Sequence, residues 1–143
     1  MKALLDTNII IHREASRVIN QDVGILYRWL ERAKYTKCVH SLTVAEIEKY
    51  KNQQTVETFQ IKLDSYEQIE IPSPLQTEVK AVSEKIDVNE NDKNDTQLLN
   101  EVFVGRVDIL ITEDKKIRKK AIELGIEDKV FTIDTFLEKT FAE

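Results

Sequence analysis

Four short, mainly apolar runs constrain the fold most, because they alternate along the chain with longer segments of helical periodicity. The runs occupy residues 2–5, 38–40, 108–112 and 130–133. Runs of this length are typical of strands that are buried on both faces of a parallel sheet. Strands that alternate with helices predict an α/β sandwich with a mostly parallel central sheet.

The segments between these runs predict the helices. Apolar residues recur at helical spacing in most of them, and Gly125 is suited to cap the end of the helix after residue 112. Residues 87–95 are polar and predict a loop, while residues 69–71 predict extended chain before two prolines. The predicted helices lie in the region that follows Asp6 and contains residues 25–30, from 41 or 43 to 66 with a break near Asn52, over 75–86, around 98–103, from the residues after 112 to Leu124, and over 135–141.

Length and composition limit the class of protein. The chain has 143 residues, enough for one domain over residues 1–143 with a core of its own. No run approaches the roughly 20 apolar residues of a membrane span, and the N-terminus lacks a signal-peptide layout, so we expect a cytoplasmic protein without membrane association. The single Cys38 predicts a buried thiol.

Charge is unevenly distributed. The formal net charge of −5 argues against a protein that binds nucleic acid through its overall electrostatic field. A basic cluster nevertheless follows the third apolar run, and it is either a solvated helix face or a surface that contacts phosphates. Lys115, Lys116 and Lys119 are the candidates for contacts with phosphates, and residues 115 and 119 share a helix face. The whole cluster consists of Lys115, Lys116, Arg118, Lys119 and Lys120.

Four acidic residues stand at the ends of predicted strands or near the starts of helices. They are Asp6, Glu46, Asp95 and Asp114. Because sites in open parallel sheets form beyond the carboxyl ends of the strands, we expect these carboxylates to converge. Mg²⁺ and Mn²⁺ prefer oxygen ligands, and either ion can activate a water for hydrolysis of a phosphodiester. Without clustered His or Cys, the set suits zinc poorly.

Three of the four acids also have an ordinary structural explanation. Glu46 matches a capping box with Thr43, Asp95 is suited to be an N-cap, and Asp114 is a first-turn acid that a helix dipole favours. Asp6 differs because it ends an apolar strand, where a carboxylate is costly unless it is paired or bound to a metal. The sequence pattern therefore favours a site around Asp6.

Four motifs, in order along the chain, resemble those of PIN-domain nucleases, the family that includes the VapC toxins of toxin–antitoxin pairs. The resemblance covers essentially the whole chain. It implies a three-layer α/β/α fold and an endoribonuclease that depends on Mg²⁺ or Mn²⁺. RNA is the implied substrate, and the resemblance allows a protein antitoxin and a homodimer as partners. The motifs are LLDTNI from Leu4, SLTVAEI from Ser41, NDTQLL from Asn94 and ILITED from Ile109.

The resemblance also implies roles for single residues. It makes Asp6, Asp95 and Asp114 metal ligands and Glu46 a fourth catalytic acid. Two polar positions support the cluster by hydrogen bonding, and they are Asn8 and Thr112.

Two other functions compete with this one. A phosphatase of the haloacid-dehalogenase type uses a strand-end Asp as its nucleophile, but the second Asp of its signature is Asn8 here. A PIN-like module could also bind RNA or protein without cleaving, although the four acids argue against it. Ordinary structural or surface roles are expected for His12, His40, Tyr27, Trp29, Tyr35 and Asp92, the last as a solvated residue of a polar loop.

Overall fold

The centre of the computed structural model, which describes residues 1–14, 21–49 and 53–142, is a parallel β-sheet. Its strands lie in the order β3-β2-β1-β4-β5, and each neighbouring pair is parallel. The prediction of a mostly parallel sheet is confirmed, and the extended segment before the two prolines supplies an edge strand. The strands are β1 (Lys2–Leu5), β2 (Thr36–His40), β3 (Glu67–Ile69), β4 (Ile109–Ile111) and β5 (Val130–Phe131).

Helices connect the strands and make up most of the described chain. They are α1 (Thr7–Glu14), α2 (Gln21–Arg32), α3 (Ser41–Glu48), α4 (Gln53–Lys62), α5 (Thr77–Ile86), α6 (Glu90–Phe103), α7 (Lys115–Glu123) and α8 (Ile133–Ala142). Within the described residues, none of these helices is long and apolar enough to cross a membrane.

The sheet is buried on both faces, because successive side chains of its apolar strands point to opposite sides. Ala3 and Leu5 of β1 belong to one core, while Leu4 between them belongs to the other. The first core is covered by residues of α1, α2, α3, α4 and α8, and the second by residues of α6 and α7. The three-layer α/β/α fold that the resemblance implied is therefore confirmed.

Several element boundaries differ from the prediction. Helix α8 begins at Ile133, within the run 130–133 that was expected to be a strand, and β5 ends at Phe131. The helix expected to reach residue 66 ends at Lys62, and a 3₁₀ turn follows because Tyr66 turns inward and its hydroxyl bonds that of Tyr27 at 2.6 Å. The loop predicted over residues 87–95 is wrong. Helix α6 begins within it, because the side chain of Asn89 accepts a hydrogen bond from the Asp92 amide at 2.9 Å and caps the helix. The break expected near Asn52 lies outside the described residues.

Several single residues take the places expected of them. Gly125 follows the C-cap of α7 with a φ of +71°, a conformation that favours glycine. Cys38 is fully buried, and burial raises the pKa of its thiol to about 12. Tyr27 belongs to the first core, and Trp29 and Tyr35 pack against it. These aromatic rings are packing residues, as predicted.

Candidate active site

Residues from two adjacent strands meet at the carboxyl-terminal edge of the sheet. Asp6 follows β1 directly, and its amide donates a hydrogen bond to the Ile111 carbonyl of β4 at 3.1 Å. Thr112 follows β4, and Asp114 comes two residues later as the N-cap of α7. Because β1 and β4 are parallel neighbours, polar side chains that follow them lie at the same edge.

Asp6 is held on both of its carboxylate oxygens. One accepts a hydrogen bond from the Thr7 amide at 2.7 Å, and the other accepts one from the Thr112 hydroxyl at 2.6 Å. The residue is only 5% exposed. Burial raises the pKa of Asp6, the charges of Asp114 and Glu46 add to this, and the two hydrogen bonds oppose it only in part. The carboxylate is therefore fixed in a site that disfavours its charge.

Asp95 also lies where burial and neighbouring carboxylates disfavour its charge. It lies in the second turn of α6, so the prediction that it opens the helix is wrong, because Asn89 is the N-cap. Burial raises the pKa of Asp95 to about 7, followed by the charges of Asp6 and Asp114, with a smaller contribution from Glu46. Asp95 thus lies close enough to the other three predicted acids for their charges to act on it.

Glu46 is not a capping-box residue. Helix α3 begins at Ser41, and its N-cap is His40, whose ring nitrogen Nδ1 accepts a hydrogen bond from the Leu42 amide at 3.1 Å. Glu46 therefore lies in the second turn, not in the first turn as predicted. One of its carboxylate oxygens is instead 3.5 Å from the side-chain nitrogen of Asn94 on α6.

Asp114 also has a structural role. One of its carboxylate oxygens accepts a hydrogen bond from the Lys116 amide at 2.7 Å, which caps α7. Its own amide donates to the Thr112 hydroxyl at 3.1 Å, so Thr112 links Asp6 to the start of α7. The structural explanation of Asp114 and its place in the carboxylate group are compatible.

The donor set fits a hard divalent cation in its chemistry. Asp6, Asn8, Glu113 and Asp114 line an open pocket of about 310 Å³ together with apolar side chains, whereas Asp95 and Glu46 do not line it. All of its polar groups offer oxygen, the donor that Mg²⁺ and Mn²⁺ prefer. Among the residues that the structure describes, no three acidic, imidazole or thiol side chains are already arranged to hold an ion. The fit to a cation is therefore one of donor chemistry.

The basic cluster divides into exposed and buried members. Lys115, Lys116 and Lys119 are exposed on α7, whose N-cap is Asp114. Lys120 is only 1% exposed, so it belongs neither to a solvated face nor to a surface for phosphates. Its ammonium donates to the carboxylate of Asp87 at 2.8 Å. Helical spacing conceals this difference, because only the packing of α7 decides which lysine points inward.

Asp92 is buried, which corrects the prediction that it is a solvated loop residue. It is 6% exposed, and one of its carboxylate oxygens accepts a hydrogen bond from the Val88 amide at 3.0 Å. Asn89 and Asp92 thus cap the start of α6 reciprocally. The signal that could have shown this is the spacing of Asn89 and Asp92, which fits an N-cap and the third helical residue.

His40 has the structural role expected of it, but its partner Glu101 was not anticipated. The Nε2 atom of His40 lies 3.0 Å from the carboxylate of Glu101, and both side chains are fully buried. Burial raises the pKa of Glu101, but hydrogen bonds from His40 and Ser73 outweigh burial and hold it below its usual value. The side chain of His12 lies outside the described part of the structure.

The family model described as PIN domain matches residues 2–116 of the chain, a range that contains all four acids. The chain belongs to the PIN domain family. PIN domains are generally nucleases. A search of curated proteins found no match to this PIN domain.

Two solved structures align with most of the chain. VapBC2 from Rickettsia felis, bound to a DNA fragment from their promoter, aligns with a TM-score of 0.59 at 16% identity, covering 92% of this chain and 97% of that chain. FitAcB from Neisseria gonorrhoeae aligns with a TM-score of 0.49 at 15% identity, covering 91% and 96%. At such identity the VapBC2 likeness establishes a common fold and no more.

Proposed function

We propose that this PIN domain is a metal-dependent endoribonuclease that hydrolyses RNA phosphodiester bonds with a Mg²⁺ or Mn²⁺ ion. The observation that carries the proposal is the group of acids at the carboxyl-terminal edge of the sheet, where burial, followed by the charges of Asp6 and Asp114, raises the pKa of Asp95 to about 7. Like charges held together in this way are unfavourable, and a divalent cation is the ligand that relieves their repulsion. Membership of a family of nucleases supports the same conclusion.

Asp6, Asp95 and Asp114 are the residues that would hold the ion. The Thr112 hydroxyl orients Asp6, and Asn8 lines the pocket beside it and would support the carboxylates by hydrogen bonding. A bound ion would supply a water of lowered pKa and would neutralise charge on the phosphodiester.

Glu46 is the fourth acid of the proposed site. It caps no helix, and its contact with the Asn94 side chain leaves it beside the other carboxylates. We assign it the role of accepting a proton from the attacking water.

We further propose that Lys115, Lys116 and Lys119 contact RNA phosphates. These lysines are exposed near the end of α7 that Asp114 caps, so a strand bound at the pocket would pass close to them. Their positive charge offsets the acidic edge locally, although the net charge of the chain is −5.

A cleavage assay with matched variants tests the proposal. Asp6→Asn and Asp95→Asn keep the size of each side chain and remove its charge, and each should abolish cleavage of RNA in Mn²⁺ while the protein stays folded. Asp128→Asn is the control, because this exposed acid lies in the 3₁₀ turn before β5, at the opposite sheet edge. Chelator-resistant cleavage, or loss of cleavage in all three variants, would contradict the assignment. Retained RNA binding with no cleavage by the wild type would favour the non-cleaving module.

A protein antitoxin is the partner that we propose. The resemblance to VapC-like toxins supports it, as does the fold shared with a chain of the VapBC2 structure. Expression of the wild-type chain alone should slow growth of the host cell, and Asp6→Asn should relieve this effect.

The homodimer is a separate proposal, which sedimentation of the purified chain tests directly.

A further inference from the structure

Lys120 is a fully buried lysine whose ammonium group has three hydrogen-bond acceptors. It donates to the Asp87 carboxylate at 2.8 Å, to the Asp92 carbonyl at 3.0 Å and to the Thr96 hydroxyl at 2.9 Å. Lys120 and Asp87 are each 1% exposed in their side chains. A lysine ammonium has three N–H donors, so all of them are used.

This network joins three helices behind the carboxylate edge. Asp87 is the C-cap of α5, Asp92 and Thr96 lie in the first two turns of α6, and Lys120 belongs to α7. The Thr96 hydroxyl also donates to the second carboxylate oxygen of Asp87. The start of α6 is therefore tied to both of its neighbouring helices.

The residues that Lys120 holds on α6 stand on either side of Asp95. Asp92 precedes Asp95 by three residues and Thr96 follows it directly. The helix that carries Lys120 begins at its N-cap, Asp114. A single ammonium thus connects the turn that bears one carboxylate of the proposed site with the helix that bears another.

The stability of the fold is by itself a weak reason for burying the Lys120–Asp87 ion pair. Apolar side chains of similar volume often replace a buried ion pair at no cost to stability, because desolvation of the two charges offsets their attraction. A buried pair does, however, fix geometry, since its hydrogen bonds hold only in one arrangement.

We propose that Lys120 is a positioning residue of the carboxylate site, which fixes Asp95 on α6 relative to Asp114 at the start of α7. The inference rests on the proposed function, because it assumes that Asp95 and Asp114 bind the same cation. The charge of Lys120 also acts on Asp95 directly and opposes the repulsion from the other acids.

The test variant is the double substitution Asp87→Asn with Lys120→Met. Lys120→Met alone would leave Asp87 buried without its cation and could unfold the chain. The double variant removes one positive and one negative charge and so keeps the net charge of the chain. Thr96→Val keeps both charges, and it therefore separates the geometry of the network from the direct charge of Lys120 on Asp95. The matched control is Lys85→Met with Glu123→Gln, an exposed pair at 3.3 Å that joins the same helices α5 and α7.

Isothermal titration gives the Mn²⁺ affinity of each protein. Urea denaturation in chelator gives its free energy of unfolding. The double variant should remain folded but bind Mn²⁺ about tenfold more weakly, the effect typical of lost support behind a metal ligand. The control should bind as the wild type does. In the cleavage assay, kcat should fall in the double variant while KM for RNA stays unchanged.

The outcomes separate the two proposals. Wild-type Mn²⁺ affinity in a folded double variant overturns the role of Lys120 and leaves the proposed function intact. A wild-type chain that binds no Mn²⁺ contradicts the proposed function and with it the positioning role. If the double variant does not fold, Thr96→Val removes one partner of the ammonium and keeps both charges. Mn²⁺ should then bind more weakly, by up to about tenfold, and unchanged affinity overturns the inference.

Discussion

Asp95→Asn is expected to stabilise the metal-free protein. Burial and the charges of Asp6 and Asp114 raise the pKa of Asp95 to about 7, against an ordinary value of 3.8. At a pH between these two pKa values, the folded chain keeps a proton on Asp95 that the unfolded chain has lost. The free energy of unfolding contributed by this residue therefore falls as the pH rises from about 4 to about 7, and the loss is complete above that range.

The size of the effect follows from the difference between the two pKa values. At about 1.4 kcal/mol per pH unit, the rise from 3.8 to about 7 corresponds to about 4 kcal/mol as an upper limit. Asp95 keeps part of its side chain in contact with solvent, which screens the repulsion. We therefore expect Asp95→Asn to gain about 2 kcal/mol over the wild type at pH 8.

Urea denaturation in chelator, at a series of pH values between about 4 and 8, measures this gain. The difference between wild type and variant isolates Asp95, since the other titrating groups are common to both. Asp128→Asn serves as the control and should show no such difference, because it lies at the opposite edge of the sheet. A variant that is no more stable than the wild type at pH 8, or a difference that does not shrink at acid pH, would refute the electrostatic reasoning.

Three further predictions concern the metal, the RNA and the fourth acid. Mn²⁺ affinity should rise between pH 6 and pH 8, because Asp95 must lose its proton before it can hold the ion, and isothermal titration checks this. Alanine at Lys115, Lys116 and Lys119 together should weaken RNA binding across sequences and flatten its salt dependence, whereas unchanged affinity at low salt would assign these lysines to solubility. Glu46→Gln should abolish cleavage with little loss of stability, since Glu46 caps no helix, and cleavage at the wild-type rate would remove it from the site.

The sheet could be predicted from the sequence because its strands are short, apolar and buried on both faces. Lys2–Leu5 is the clearest case, since no helical periodicity competes with the strand pattern there. The strand ends then locate Asp6 and Thr112 without knowledge of the tertiary structure. Because sites in open parallel sheets lie beyond the carboxyl ends of the strands, these strand ends also indicated where the site lies.

Helix starts were predicted less well, because the capping side chains are chosen by tertiary contacts. His40 caps α3 in place of Thr43, since burial against Glu101 fixes its ring for that bond. Asn89 and Asp92 start α6 within a segment whose polarity indicated a loop. Lys120 could not be distinguished from its exposed neighbours, because its acceptors come from helices that lie 24 to 33 residues earlier in the chain.

Anomalous diffraction from a crystal soaked in Mn²⁺ is the most direct test of the central claim. We expect one or more manganese peaks at the carboxyl-terminal edge of the sheet, with Asp6, Asp95 and Asp114 turned towards the ion, and no peak there in crystals of Asp6→Asn. A fully soaked wild-type crystal with no peak at this edge, or with manganese held only by acids elsewhere, would show that these carboxylates do not form a metal site.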